Sequence, residues 1–246
     1  MPLFYLFLLI LPNNIDRFAF NKTMIKDNIK YIEDKIAKSC LNANRNFDEI
    51  KLVAVSKQNT IEKIKEAQNF GILDFGENKA QELKQKVTEI NDNIRWHFIG
   101  HLQRNKVRDI IPYTFLIHSV DTEKLLLEIN KRAANIQKVQ KILLEVNISG
   151  EESKYGLKTF DDVHKILNTS DGLNNVLPIG LMTMAPFTND EEIIRKTFRG
   201  LREMLERVNE KGYKLKELSM GMTNDFETAI EEGATILRIG TAIFKE

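Results

Sequence analysis

From Met24 onward, apolar residues recur in two alternating rhythms. Ile25, Ile29, Ile32 and Ile36 fall three and four apart among Lys, Asp and Glu, which predicts an amphipathic helix. Short apolar, β-branched segments then alternate with further helical patterns. The pairs are Lys51–Lys57 with Ile61–Phe70, Ile72–Gly76 with Ala80–Ile90, Ile94–Gly100 with Asn105–Ile111, and Phe115–Val120 with Lys124–Ile136. Lys141–Ile148 with Phe160–Leu167, Val176–Met184 with Glu191–Val208, and Leu218–Met222 with Phe226–Glu232 continue the series, and a last strand, Ile236–Phe244, has no helix after it. Eight strand candidates with this alternation predict an α/β fold, a single-domain (β/α)8 barrel. An open doubly wound sheet fits the same alternation. Near-continuous apolar strands such as Ile142–Val146 favour burial on both faces, as a barrel provides.

The apolar run Leu3–Leu11 ends at Pro12 and is too short to span a bilayer as a helix, and no Lys or Arg precedes it as a signal peptide requires. The expected fold therefore covers residues 24–246, with residues 1–23 an extension outside it. The 36 Lys and Arg balance 35 Asp and Glu, for a net charge of +1, so no concentrated basic field calls for nucleic acid or an anionic membrane. The single cysteine, Cys40, excludes an intrachain disulfide and a four-cysteine zinc site, and points to the cytoplasm.

In such a barrel, chemistry belongs at the C-terminal ends of the strands, where the βα loops gather. Those positions carry Ser56-Lys57-Gln58, Gly76-Glu77-Asn78, Gly100-His101, Ser219–Thr223 and Arg238-Ile239-Gly240-Thr241. A lysine partly desolvated at the end of a barrel strand can offer a neutral amine to a carbonyl, whereas one that snorkels from the rim stays an ordinary surface cation. Gly240-Thr241 and the Ser219–Thr223 loop fall after the seventh and eighth strands, where backbone N–H groups and hydroxyls can meet a phosphate. A nucleophilic lysine facing a phosphate site fits pyridoxal 5′-phosphate (PLP) or a phosphorylated-sugar aldolase.

Trp96-His-Phe-Ile-Gly-His-Leu-Gln-Arg-Asn-Lys106 resembles the signature of the pyridoxal-phosphate homeostasis protein family. Val53-Ala-Val-Ser-Lys57, Phe75-Gly-Glu-Asn78, Gly180-Leu-Met-Thr-Met184, Leu218-Ser-Met-Gly-Met222 and Leu237–Phe244 match that family in order, so the resemblance spans Met24 to Phe244. It implies a barrel like the N-terminal domain of alanine racemase, with PLP held as a Schiff base on Lys57. Arg238 would face the pyridine nitrogen, Ser219, Gly240 and Thr241 would hold the phosphate, and Asn78 would lie near the ring. Met182 and Met220 would pack by the cofactor or fill the barrel core. Thr223 stands where serine is frequent, and Lys245 where a glycine often follows the phenylalanine.

The resemblance further implies a monomeric carrier that buffers or supplies PLP, with apo PLP-dependent enzymes as partners and no substrate turnover. An amino-acid racemase and a PLP-free lysine aldolase are the competing readings. Tyr155 falls in a loop after the fifth strand, within reach of the barrel mouth, and carries no assigned catalytic role. His97 and His101 are four apart, but on a strand and loop, so a packing or cofactor-side role suits them better than metal binding. Arg104, Lys106 and Arg108 form a basic cluster that reads as a solvated helix face.

Overall fold

A computed structural model describes residues 24–90, 93–152 and 154–245; the expected N-terminal extension, residues 1–23, lies outside the described residues. The chain opens with helix α1 (Met24–Asn42), which buries Ile25, Ile29, Ile32 and Ile36 along one face. Eight strands follow: β1 (Lys51–Val55), β2 (Asp74–Glu77), β3 (Arg95–Phe98), β4 (Thr114–Val120), β5 (Gln140–Glu145), β6 (Val176–Met182), β7 (Glu217–Ser219) and β8 (Ile236–Ile239). Neighbouring strands pair in parallel and in chain order, and β8 closes on β1 with Arg238 opposite Val53. The result is the closed barrel expected from the sequence, and the open doubly wound sheet is excluded.

Between the strands lie α2 (Ile61–Asn69), α3 (Ala80–Glu89), α4 (Val107–Ile110), α5 (Glu123–Ala134), α6 (Phe160–Asp171), α7 (Glu191–Asn209) and α8 (Phe226–Glu231). Several begin where a side chain satisfies the free N–H groups of the first turn. The Thr122 hydroxyl accepts from Leu125 N, and Asp190 accepts from the N–H groups of Glu192 and Ile193. Thr159 and Asp162 exchange bonds in a capping box at the start of α6. An equivalent box, Asn46 with Glu49, starts a 3-10 turn over Phe47–Glu49 that the hydrophobic rhythm does not announce.

The last strand is shorter than expected. β8 ends at Ile239, and a further helix, α9 (Thr241–Phe244), follows it. Gly240 lies against β1, where a Cβ would meet the Val55 carbonyl oxygen at 3.1 Å, and the chain turns off the sheet there. The apolar tail then packs on α1, where Asn28 Nδ2 donates to the carbonyls of Ile243 and Lys245.

Most apolar residues are buried in one layer between the sheet and the helices. A smaller cluster of Val53, Leu116, Leu143, Met182 and Ile236 fills the barrel interior. Side chains on a strand alternate between faces, so the residue two positions further along points the same way. After Val53, Leu116, Leu143 and Ile236 come Val55, His118, Glu145 and Arg238. The interior thus changes from apolar to polar toward the C-terminal ends of the strands.

Candidate functional site

At that end the βα loops enclose a cavity of about 1170 Å³. Its lining includes Lys57, Asn78, Glu145, Arg238, Gly240 and Thr241. Five of the residues singled out from the sequence therefore share one wall system, although they come from segments far apart in the chain.

Lys57 follows β1 in a tight turn and is exposed at the mouth, as in the second of the two readings of its position, a lysine that reaches solvent from the rim. Its backbone is nonetheless fixed from both sides. Ser56 donates through Oγ to Glu77 Oε1 at 2.6 Å, and its carbonyl accepts from Lys86 Nζ at 2.8 Å. Gln58, in the left-handed region with φ of 61°, donates its N–H to Glu82 Oε1 at 2.6 Å. Lys86 closes the arrangement with ion pairs of 2.7 Å to both Glu77 and Glu82. Burial raises the Glu77 carboxyl above its ordinary range despite the opposing bonds from Lys86 and Ser56. Burial also acts to raise Glu82, but the bonds from Lys86 and the Gln58 N–H outweigh it and the net shift is downward.

Arg238 forms the floor, 4% exposed. Nη1 donates to Ser219 Oγ at 2.6 Å and Nη2 to the Thr183 carbonyl at 2.9 Å, both neutral acceptors. Burial pushes the guanidinium down to about 10, against the attraction of Asp225 and Glu145. Glu145 is also buried, and that burial, helped by the Asp121 carboxylate and opposed by Arg238, pushes its carboxyl up to about 7. A buried cation whose bonded partners are uncharged is well suited to an acceptor atom in the cavity.

The other walls are built by close backbone approach and by rings. A Cβ on Gly100 would lie 2.2 Å from the Asn78 carbonyl oxygen, so only glycine lets the β2 and β3 loops meet. His101 stacks on Tyr155 with ring centroids 3.7 Å apart, and both line the cavity. Gly240, Thr241 and Thr223 line it on the β7–β8 side, and Thr223 Oγ1 accepts from Ala242 N at 3.5 Å.

Ser219, Met220 and Met182 are not among the residues that line the cavity. Ser219 is buried beneath Arg238, Met220 packs in the layer between sheet and helices, and Met182 belongs to the apolar barrel interior. Conversely, Glu145 and the fully exposed Phe187 line the cavity without having been anticipated. Glu145 was legible as an acid closing an apolar strand; nothing in the sequence distinguishes Phe187. His97 lies in the barrel interior, away from His101 at the mouth. Arg104, Lys106 and Arg108 are exposed on a 3-10 turn and α4. Among the described residues, no group of His, Cys, Asp and Glu could hold a metal ion, and no helix is long and apolar enough to cross a membrane.

The comparisons with known proteins agree with this fold. The family model for the alanine racemase N-terminal domain matches residues 25–246. The pyridoxal phosphate homeostasis protein of Aquifex aeolicus is 41% identical over 222 residues, covering 89% of this chain and 97% of the relative. That of Haemophilus influenzae is 34% identical over 225 residues, with 89% and 94% covered. Among solved structures, PipY of Synechococcus elongatus with PLP bound superposes with a TM-score of 0.77 at 31% identity, covering 87% of this chain and 99% of PipY. An alanine racemase from Clostridium difficile shares the fold, with a TM-score of 0.74 at 13% identity over 89% of this chain and 57% of its own. The chain belongs to the pyridoxal phosphate homeostasis protein family, built on the barrel of the alanine racemase N-terminal domain.

Proposed function

We propose that this protein binds PLP covalently and reversibly on Lys57 and buffers or supplies it in the cytoplasm, without turning over a substrate. The observation that carries this reading is the placement of Lys57, buried Arg238 and the Gly240-Thr241 wall around one cavity. The donor set fits the group, since an amine, a guanidinium and a glycine-backed loop with hydroxyls answer an aldehyde, a ring nitrogen and a phosphate in turn. PLP supplies an aldehyde that condenses reversibly with a lysine amine. Gly240, Thr241 and Thr223 would receive the phosphate, and Asn78 would flank the ring. Ser219 would act on the site through Arg238 rather than by direct contact.

Arg238 bears on the choice between carrier and enzyme. A guanidinium that donates to the ring nitrogen disfavours its protonation and weakens the ring as an electron sink, which handicaps racemisation. The relatives' names and the PLP in PipY support the same reading. Handover to apo PLP-dependent enzymes would take place across the mouth, where Tyr155 and Phe187 stand exposed. The balanced charge supplies no basic field for nucleic acid or membrane, and the monomeric state follows from the family resemblance.

Incubation with PLP should give a yellow protein, and borohydride reduction followed by peptide mapping should place the added mass on Lys57. Lys57→Ala should remain colourless while keeping its fold. Steady turnover of an L-amino acid above free PLP would establish the racemase instead. A wild-type protein that stays colourless and unmodified would overturn PLP binding altogether.

A further inference from the structure

The barrel interior holds a line of hydrogen bonds that the proposed binding chemistry leaves unexplained. Asp74 Oδ1 lies 2.8 Å from His97 Nε2, His97 Nδ1 lies 2.8 Å from His118 Nε2, and His118 Nδ1 lies 2.9 Å from Ser219 Oγ. Ser219 Oγ then meets Arg238 Nη1 at 2.6 Å. His97, His118 and Ser219 are wholly buried, so no water competes for these bonds. The line starts at the first residue of β2, where Arg95 also donates to Asp74 from Nε and Nη2, and ends at the cofactor cavity on the far side of the barrel.

Its two ends, together with a neutral His97, fix the direction of every proton between them. A guanidinium only donates, and a carboxylate only accepts. His97 must therefore carry its proton on Nε2 toward Asp74. Nδ1 of His97 and Nε2 of His118 face each other at 2.8 Å, so they cannot both carry a proton. With His97 neutral, its Nδ1 accepts, His118 donates from Nε2, and His118 Nδ1 accepts the hydroxyl proton of Ser219. The Ser219 oxygen is then left with lone pairs for Arg238.

We infer that Asp74, His97, His118 and Ser219 form a one-way hydrogen-bond wire, with both imidazoles as neutral Nε2–H tautomers, that positions Arg238 for the cofactor. The charges around the wire oppose an extra proton on it. Burial lowers His97, with Lys51 and Arg95 adding to the effect and Asp74 opposing it. Burial places His118 well below the ordinary histidine range, reinforced by His97, Arg238 and Lys51. Burial acts to raise Asp74, but the bonds from His97 and Arg95 outweigh it, which keeps it the anionic end of the wire. Phe115, whose ring lies 5.5 Å from His97, adds no proton acceptor. These four are positioning residues, because they reach the cofactor only through Arg238.

The wire stands on this geometry alone, while its consequence for PLP rests on the function proposed above. Nitrogen-15 NMR of the full-length, histidine-labelled protein without PLP reads the tautomers directly. His97 and His118 are expected as neutral Nε2–H forms that do not titrate between pH 5.5 and 8.5, a window on the order of the histidine range. An Nδ1–H tautomer or an imidazolium at either position would overturn the wire. Asp74→Asn removes the acceptor-only end, and should both disturb the His97 and His118 signals and shift the absorption band of the PLP-loaded protein. It should also speed PLP release roughly tenfold, the scale on which outer partners tune a bound group; Asp74→Glu should restore both. Unchanged band and release in a folded Asp74→Asn variant would refute the link to Arg238. If the wild-type protein takes up no PLP, the proposed function fails, and the tautomers still decide the wire.

Discussion

Lys86 Nζ donates to the Ser56 carbonyl at 2.8 Å, one residue before Lys57, so a buried ammonium on α3 fixes the backbone that presents Lys57 to the cavity. The same ammonium pairs with both Glu77 and Glu82, and Glu82 in turn holds the N–H of Gln58. Removing it strands the fully buried Glu77 carboxylate, whose Oε2 already lacks a hydrogen-bond partner. Lys86→Met should cost about 3–5 kcal/mol in urea unfolding, the usual result of breaking a buried pair from one side. Glu77→Gln in the same background should recover a large part of that loss, because the uncompensated charge goes with it. Additive costs in the double-mutant cycle would show that the two side chains do not act as a pair.

A second consequence concerns Gly100, which touches the Asn78 backbone too closely for any side chain. An alanine there would place Cβ 2.2 Å from the Asn78 carbonyl oxygen, and backbone rather than a flexible side chain must move. Gly100→Ala should destabilise the protein by about 1–3 kcal/mol or more, and should weaken PLP retention because Asn78 and His101 both line the cavity. Gly71→Ala is the informative contrast. With φ of 95° and nothing within 4 Å of its Cβ, Gly71 requires only a left-handed backbone. Its replacement should cost about 1–2 kcal/mol and leave PLP binding untouched.

The eight strands and most of the helices are legible in the sequence because β-branched runs and helical spacing alternate without a break. What the rhythm obscures is where an apolar segment changes conformation. Ile236–Phe244 is apolar almost throughout, yet it is a strand to Ile239 and a helix from Thr241. Hydrophobicity is the same on both sides of Gly240; the difference lies in packing against β1 and α1, which are distant in sequence.

The mouth is legible for the same reason that the barrel is, since strand ends converge there whatever the loops contain. Lys57, Asn78, Arg238, Gly240 and Thr241 meet as that rule requires. The position of Lys57 at a strand end allows either a desolvated or an exposed amine, and the anchoring of the turn by Lys86 and Glu82 accompanies the exposed one. The position of Met220 follows from strand alternation. Ser219 points into the barrel beneath Arg238, so its neighbour must face the helices. His97 and His118 sit on the paired strands β3 and β4, and it is barrel closure that then brings His118 within 2.9 Å of Ser219 on β7.

Glu145 should govern part of the protein's pH dependence. Its carboxyl is pushed from an ordinary 4.5 up to about 7 in the folded chain, chiefly by burial. The folded state therefore holds this proton more tightly than the unfolded state does. Between those two values the folded protein binds more protons, so stability falls as pH rises and levels off above about 7. Glu145→Gln keeps the shape and removes the charge. In the protein without PLP, the variant should match wild type near pH 4, where both forms are neutral, and exceed it near pH 8 by on the order of 1–3 kcal/mol. Subtracting the two curves isolates Glu145 from other titrating groups. The alternative is that attraction to Arg238 outweighs the cost of burial. In that case the variant would be the less stable protein at pH 8, and the difference between the two curves would change sign.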